Sequence, residues 1–236
     1  MKRKEKVYEG KAKILYATDD ADLLLQYFKD DATAFDATKR GVIASKGVCN
    51  NKISACLFEV LAEQGVPTHF VRALDERSML VRRVEIIPVE VTMRNIVAGG
   101  MSRMLGVEEG VALESPVLEY HYKSDALHDP LFNEYHIFAL KIATREEMRE
   151  IDALSFRIND ILRDFFGQRN LDLVDFKLEF GRFKGGVILA DEISPDTCRL
   201  WEKGTGKKMD KDRFRRDLGD VGGAYQEVLR RCLSIV

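Results

Sequence analysis

Charged side chains alternate with apolar ones over residues 174–180, and two further acids, Asp191 and Glu192, follow a glycine-containing turn and a short apolar segment. Period-two alternation predicts a β-strand whose apolar face comprises Val174, Phe176, Leu178 and Phe180. The opposite face carries Asp175, Lys177 and Glu179. Acids gathered on two neighbouring strands indicate a divalent cation held for phosphate chemistry. The alternative is a solvated strand face on which Lys177 balances its neighbours.

The register of this predicted hairpin decides whether Glu179 and Asp191 lie on one face of it. Its turn contains Gly181, Gly185 and Gly186. If an odd-numbered residue such as Leu189 stands opposite Glu179, the two acids share a face. Burial favours that register, because it also places on the apolar side Ile188 and Ala190. We therefore predict that Glu179 and Asp191 hold Mg²⁺, which usually binds through one or two carboxylates plus substrate phosphates.

A glycine and two lysines occur together in the N-terminal segment EGKAK, residues 9–13. Two short strands are predicted over residues 6–16, with their turn at Gly10. A glycine lets the backbone approach a phosphate. Lys11 and Lys13, at positions i and i+2 of a strand, would both face one polyphosphate. The GxxxxGK[ST] pattern is absent, and an ordinary charged hairpin is the alternative interpretation.

Two arginines stand next to predicted turns. Arg94 ends a predicted strand and precedes Ala98-Gly99-Gly100, whereas Arg199 follows the turn at residues 194–196. A guanidinium group at such a place suits bidentate recognition of a carboxylate or phosphate. A surface ion pair is the alternative for Arg94.

Composition excludes several classes of function. The 236 residues are 45% hydrophobic and 32% charged, with a net charge of −2, so no basic field for nucleic acid exists. We find no secretory signal and no apolar run of the roughly 20 residues that a membrane helix needs. The four cysteines form no CxxC pair and the four histidines show no metal-ligand spacing. The sequence thus predicts a cytoplasmic protein with reduced thiols that binds neither nucleic acid nor membranes.

The remaining pattern predicts an α+β protein of two lobes, which cover residues 1–84 and 85–236. Residues 84–88 are the predicted linker. Strands are predicted near 68–72, 79–85 and 88–94, and a short helix at 23–25 capped by Asp20. A helix over 50–64 would be capped by Asn50. A capping box at Thr144–Glu147 opens a long helix, and a last helix begins near Asp210.

Polar residues without an assigned role flank the helix predicted over 50–64: Asp36, Lys46, Asn50, Asn51 and Lys52.

These segments together resemble the SAICAR synthetase family, and the resemblance extends over nearly the whole chain. It rests on YEGKAK at 8–13, VEVTMRN at 89–95 with Ala98-Gly99, LVDFKLEFG at 173–181, DEISPDTCRLW at 191–201 and MDKDRFR at 209–215. The resemblance implies a cytoplasmic, homodimeric ligase of purine biosynthesis. Such an enzyme joins L-aspartate to an imidazole ribotide carboxylate with ATP and Mg²⁺, through an acyl phosphate. It also implies a two-lobed fold related to ATP-grasp, with antiparallel sheets, flanking helices and an ATP cleft between the lobes.

The resemblance also implies roles for individual residues. ATP phosphates would contact Lys11, Ala12 and Lys13, whereas Val81 and Arg82 would lie near the adenine. Glu179 and Asp191 would hold Mg²⁺, and Asp175, Lys177 and Arg199 would act at the reacting centre. The ribotide would contact Arg94, Gly100, Ser102, Asp129, Asp175, Arg199 and Arg215. The family often has serine where this chain has Gly100, so either the backbone N–H of Gly100 or the hydroxyl of Ser102 would replace that contact.

Two other functions remain open at this point. A small-molecule kinase would use the same metal acids without a site for an amine acceptor. A non-catalytic nucleotide-binding module would tolerate Glu179→Gln, but it has no need for arginines clustered beside metal acids.

Overall fold

The computed structural model describes residues 2–34 and 38–234, so Asp36 lies outside the described residues. Its strands are β1 Lys6–Glu9, β2 Lys13–Ala17, β3 Leu23–Phe28, β4 Asp31–Ala34, β5 Lys39–Val42, β6 Phe70–Ala73, β7 Ser78–Arg82, β8 Glu85–Ile96, β9 Ala112–Tyr122, β10 Leu131–Phe132, β11 Leu171–Phe183, β12 Gly186–Ala190 and β13 Cys198–Glu202. Its α-helices are α1 Lys46–Glu63, α2 Gly99–Leu105, α3 Glu134–Ala139, α4 Arg145–Gly167, α5 Asp212–Arg215 and α6 Val221–Leu233. The predicted α+β class is confirmed.

The strands form two main antiparallel sheets. The first has the order β1-β2-β3-β7-β6, and the second has the order β10-β9-β8-β11-β12 with β13 also paired to β11. Strands β4 and β5 form a separate hairpin. The chain passes from the first sheet to the second between Arg82 and Glu85. The predicted linker at 84–88 is therefore mostly strand, because β8 begins at Glu85.

One apolar core joins the two sheets. It contains Phe28 and Val81 of the first sheet, Val91 and Phe180 of the second, and Leu57 of α1. Helix α1 packs on the first sheet and on α6, whereas α4 packs on the second sheet. Full burial of each large apolar side chain contributes roughly 1.5–3 kcal/mol. The two sheets are thus held together by a shared core.

The predicted long helix is confirmed as α4. Thr144 and Glu147 form the capping box, in which each side chain bonds the other residue's backbone N–H. The apolar residues along one side of this helix are buried: Met148, Ile151, Leu154, Ile158, Leu162 and Phe165. Local signals suffice here because both the cap and the stripe act within one helix.

Two other predicted elements were wrong, and a third, the helix over 50–64, is confirmed as α1 but begins earlier than predicted. Residues 23–28 are a strand with alternating burial rather than a helix capped by Asp20. Helix α1 begins at Lys46 after Ser45, so Asn50 lies inside it and is not its N-cap. The predicted last helix is two helices, because positive φ angles of 53° at Asp217 and 45° at Asp220 interrupt it.

The predicted hairpin register was also wrong. Glu179 stands opposite Ala190, not opposite an odd-numbered residue. Consequently the core residues of β12 are Val187 and Leu189 rather than Ile188 and Ala190. A register shift after Leu173, where β11 pairs with β13, further separates Val174 from Phe176. Val174 therefore packs in a small second cluster with Ala98 and Trp201.

Candidate functional site

An acid–lysine cluster, defined as Lys13, Lys177, Glu179, Asp191 and Glu192, lies where the two sheets meet. The Nζ atom of Lys177 is 2.6 Å from Glu179 Oε1 and 3.2 Å from Asp191 Oδ2. Lys13 Nζ donates to Asp191 and lies 2.9 Å from Glu192 Oε1. Lys13 comes from β2 of the first sheet, whereas Lys177 comes from β11 of the second. Asp191 thus links both sheets through two ammonium groups.

Asp191 reaches this cluster because it departs from strand geometry. Continuation of the observed register would turn its side chain away from Glu179. The strand instead ends at Ala190, and Asp191 adopts a φ of 61°. One side chain of the first sheet supports this conformation, since Gln26 Nε2 donates to the Asp191 carbonyl at 3.3 Å. Aspartate tolerates the left-handed region better than most residues.

Asp191 and Lys177 are both charged at neutral pH. Burial alone would raise the pKa of Asp191, but the charges of Lys13 and Lys177 outweigh it and hold that pKa well below its usual range. Burial would lower the pKa of Lys177, but Asp191, Glu179 and Glu90 together raise it well above its usual value. Neither group is therefore poised to exchange a proton near pH 7. The cluster is suited to stabilising charge and to holding a polyphosphate or cation.

The donor set of the cluster fits Mg²⁺. Glu179 and Asp191 both direct carboxylate oxygens at the Lys177 ammonium, so the two acids converge on one position. Magnesium prefers oxygen ligands and commonly binds proteins through one or two carboxylates. Within residues 2–34 and 38–234, no three His, Cys, Asp or Glu side chains form a group that could hold a metal ion. A cation bound by these two acids would therefore need further oxygens from a substrate.

A second feature is an arginine row, defined as Asp212, Arg199, Asp175, Arg94 and Glu119 in spatial order. Asp175 bridges the two arginines, at 2.8 Å to Arg199 Nη1 and 2.7 Å to Arg94 Nη1. The outer carboxylates bind the arginine Nε atoms, Glu119 at 2.8 Å from Arg94 and Asp212 at 3.0 Å from Arg199. Strand pairing sets this row, because Asp175 stands opposite Arg199 of β13 and opposite Arg94 of β8.

The row and the acid–lysine cluster are neighbours. Asp175 and Lys177 are two residues apart on one face of β11, which is roughly 7 Å along a strand. Asp175 is only 3% exposed. Burial raises the pKa of its carboxyl group, although Arg199 and Arg94 oppose that effect. The site therefore places two acids that could hold a cation beside two arginines that could bind an anion.

Both arginines approach the start of α2 through their remaining nitrogen. A Cβ atom added at Gly99 would lie 2.5 Å from Arg199 Nη2, and one added at Gly100 would lie 3.7 Å from Arg94 Nη2. Gly99 also has a φ of 55°, which disfavours any residue with a side chain. This turn is thus shaped by glycine so that two guanidinium groups can come close to the backbone.

We expect Gly99→Ala to lower the free energy of unfolding by about 1–2 kcal/mol, because the added methyl group is strained at positive φ. It would also collide with Arg199, which Asp175 and Asp212 prevent from moving aside. Gly100→Ala is the matched control, since its added methyl group meets only ordinary contact. Urea unfolding monitored by circular dichroism measures both. Equal stability of the two variants would contradict this account of Gly99.

An open cavity of about 620 Å³ lies between the β1–β2 turn and the β4–β5 hairpin. Its lining includes Gly10, Lys11, Lys29, Arg40 and Asp125. Lys11 Nζ bonds Asp125 at 2.7 Å, which connects the N-terminal turn to the loop after β9. Lys11 lies before β2 rather than in it, so Lys11 and Lys13 contact different acids. The cavity volume is in the range of small-ligand sites.

Several predicted site residues lie outside the cluster and the row. Ser102 donates to the Val107 carbonyl, and Asp129 accepts from the Ser124 amide at 2.8 Å. Arg215 Nη1 lies 2.7 Å from Asp212 Oδ1, so Arg215 adjoins the end of the row.

On the first sheet, Val81 is buried in β7, which lies between β3 and β6. The amide of Arg82 donates to the His69 carbonyl, and its guanidinium donates to Thr68 and Phe70 carbonyls. Ala12 accepts a backbone hydrogen bond from Lys29 in the β1–β2 turn. The roles predicted for these three residues toward a nucleotide stay predictions.

Lys46 has a structural partner. Its fully buried ammonium group lies 2.5 Å from Asp196 Oδ2, and Asp196 also accepts from the Tyr225 hydroxyl at 2.6 Å. Asn51 donates to the Asp75 carbonyl, and Lys52 pairs with Glu76 at 2.8 Å. These residues thus fix α1 to its neighbours.

Sequence reasoning missed Glu90, Glu119, Glu192 and Asp212. Glu192 was noted only as part of an acidic pair, yet it contacts Lys13 from a nearly buried position. Glu119 and Asp212 meet the arginines from distant parts of the chain, 25 and 13 positions away. The single available signal was the alternation of Glu119 and His121 with Leu118, Tyr120 and Tyr122, which indicates a polar strand face but not its partner.

Comparison with known proteins places these features in a family. Residues 6–232 match the family described as SAICAR synthetase. A phosphoribosylaminoimidazole-succinocarboxamide synthase of Clostridium botulinum is 53% identical over 231 residues, which is 98% of this chain and 99% of the relative. An enzyme of the same name from Thermoanaerobacter pseudethanolicus is 54% identical and covers 98% of both chains.

Solved structures agree with the sequence relatives. The crystal structure of phosphoribosylaminoimidazole-succinocarboxamide synthase from Ehrlichia chaffeensis is 44% identical, with a TM-score of 0.96 over 98% of this chain and 100% of that chain. A SAICAR synthetase in complex with ADP is also 44% identical, with a TM-score of 0.94 over 97% of each chain. Because sequence and structure match over nearly their full lengths, this protein belongs to the SAICAR synthetase family.

Proposed function

We propose that this chain is an ATP-dependent ligase of purine biosynthesis. It condenses L-aspartate with 5-amino-1-(5-phosphoribosyl)imidazole-4-carboxylate, here called the ribotide, to give the succinocarboxamide, ADP and phosphate. Family membership supports the reaction, and one relative was solved with ADP. The observation that carries the proposal on this chain is the placement of the arginine row beside the acid–lysine cluster on one face of β11.

The acid–lysine cluster is the proposed site of phosphoryl transfer. Lys11 and Lys13 contact the phosphates of ATP, and Ala12 contributes backbone to the same turn. Glu179 and Asp191 hold Mg²⁺, which when bound neutralises the charge that develops on the transferred phosphoryl group. Lys177 lies between these acids and is positioned to contact the same oxygens. Val81 and Arg82 lie along the adenine side of the nucleotide.

The arginine row is the proposed site of the ribotide. Arg94 and Arg199 bind its phosphate or carboxylate, with Gly100, Ser102, Asp129 and Arg215 as further contacts. Asp175 faces the reacting centre between the two arginines. A carboxylate is a poor acyl donor because oxide is a poor leaving group. Transfer of the γ-phosphoryl group to the ribotide carboxylate makes an acyl phosphate, which the aspartate amine attacks with loss of phosphate.

The same proposal divides the chain into two lobes. Residues 1–84, which include the first sheet, bind the nucleotide, and residues 85–236 bind the substrates and the metal. The protein is proposed to act in the cytoplasm as a homodimer, with no nucleic acid or membrane partner. Among the described residues, no helix is both long enough and apolar enough to cross a bilayer.

A coupled ADP-release assay with each substrate omitted in turn tests the function. We expect ADP formation at full rate only when ATP, Mg²⁺, the ribotide and L-aspartate are all present. Full ADP release without aspartate would instead identify a kinase acting on the ribotide. Absence of ADP release with all four components would overturn both functions and leave a nucleotide-binding module.

A further inference from the structure

Each arginine of the row is bonded in the same way at two of its three nitrogen atoms. Nε of Arg94 donates to Glu119 and its Nη1 donates to Asp175. Nε of Arg199 donates to Asp212 and its Nη1 donates to Asp175. In both arginines the third nitrogen, Nη2, makes no hydrogen bond to any residue of 2–34 and 38–234. Both Nη2 atoms instead lie at the Gly99–Gly100 turn.

The two outer carboxylates are themselves held in place. The Asp212 side chain is 2% exposed, its Oδ1 accepts from Arg215, and its backbone N–H donates to Asp210 at 2.7 Å. The Glu119 side chain is 11% exposed and its Oε2 lies 3.6 Å from His121 Nε2. Ion pairs that are this buried are screened little by salt. Glu119 and Asp212 are therefore firm anchors for the guanidinium planes.

We propose that Glu119 and Asp212 are positioning residues, which aim the Nη2 atoms of Arg94 and Arg199 at one place so that both bind a single anionic group of the ribotide. The inference rests on the proposed function for the identity of that ligand. An arginine loses much side-chain freedom when it is ordered, at a cost of about 1.5–2 kcal/mol. Two carboxylates that order both arginines before the ligand arrives remove that cost from binding.

An effect of charge alone and a positioning role predict opposite changes in ribotide affinity when Glu119 or Asp212 is replaced. The row contains three carboxylates and two guanidinium groups. Removal of an outer carboxylate makes the site more positive, so Coulomb attraction alone would strengthen the binding of an anion. If the carboxylate instead orients an arginine, its removal weakens binding despite the added positive charge. A binding measurement on neutral isosteric variants separates the two.

The experiment uses Glu119→Gln and Asp212→Asn in the full chain, with the dissociation constants of the ribotide and of ADP measured separately by isothermal titration calorimetry. We expect the ribotide constant to rise about tenfold in each variant, as for loss of one charge-assisted hydrogen bond, and the ADP constant to change less than twofold. Glu109→Gln is the matched control. It removes a carboxylate 2.5 Å from Arg216, which also adjoins Asp212 at 3.7 Å, without touching the row's arginines.

Unchanged or tighter ribotide binding in both variants would overturn the proposal. Equal weakening of ribotide and ADP binding would also overturn it, because it would indicate a general structural role. If Asp212→Asn does not fold, Glu119→Gln decides alone, and Glu119→Asp should recover part of the lost affinity. Failure of the wild-type protein to bind the ribotide at all would overturn the proposed function instead, so the two failures are distinguishable.

Discussion

Replacement of Asp191 by asparagine is expected to lower kcat by at least about 100-fold, the scale of effect seen when a preorganised electrostatic group is removed from an active site. Asparagine has the same shape and also tolerates positive φ, so the backbone at 61° can persist. The loss is one negative charge between Lys13 and Lys177 and one oxygen ligand of the proposed cation. Steady-state ADP release at several Mg²⁺ concentrations measures the effect.

The fold of this variant should remain intact. Lys13 keeps Glu192 at 2.9 Å, and Lys177 keeps Glu179 at 2.6 Å, so neither ammonium group is left without a carboxylate. Asp217→Asn is the matched control, because Asp217 also has a positive φ and pairs with a lysine, Lys39, but is 85% exposed. Activity equal to wild type at low Mg²⁺ in Asp191→Asn would refute the cation-binding role.

Local signals in the sequence predicted correctly those elements whose deciding interactions are local. The capping box and apolar stripe of α4 act within one helix, and the charged face of β11 follows from its own alternation. Residues 6–9 and 13–17 are strands about Gly10, as predicted. In each case the interaction that decides the structure joins residues only a few positions apart.

The hairpin shows why the site itself was harder to predict. Alternation allowed either register, and the choice depended on which β12 residues the rest of the core accepts. That core selected Val187 and Leu189. The acids still converge, but through the left-handed backbone of Asp191, which Gln26 of β3 supports from the other sheet. No feature of residues 171–192 encodes that long-range support.

The arginine row could not be read from the sequence for a related reason. Its charges come from β8, β9, β11, β13 and α5, and its order depends on the pairing of β11 with both β8 and β13. Arg94 and Asp175 are 81 positions apart. The neighbouring turns and glycines in the sequence therefore indicated that Arg94 and Arg199 could bind a ligand. Only the strand pairing shows that the buried carboxylate of Asp175 joins them.

Replacement of Arg199 by lysine is expected to raise KM for the ribotide by about 10–100-fold, as for loss of charge-assisted hydrogen bonds worth about 1.5–3 kcal/mol. Arg199 uses Nε for Asp212 and Nη1 for Asp175, which leaves Nη2 for a ligand. A lysine is a single point charge and cannot reproduce this planar fork. Its ammonium group would remain with the buried carboxylates, so the ligand would lose a donor while the row stays charge-balanced. KM for ATP should change little, because the acid–lysine cluster is intact.

The control for this prediction is Arg182→Lys, which removes another guanidinium group of the same sheet. Arg182 forks onto Glu147 at 2.5 and 3.1 Å and lies at the far end of β11, away from the row. It should lower stability without changing either KM. Equal increases of KM for ribotide and ATP in Arg199→Lys would place Arg199 outside the substrate site. A selective increase for the ribotide would instead locate anion recognition at Nη2, since that is the one nitrogen of Arg199 without a hydrogen bond within residues 2–34 and 38–234.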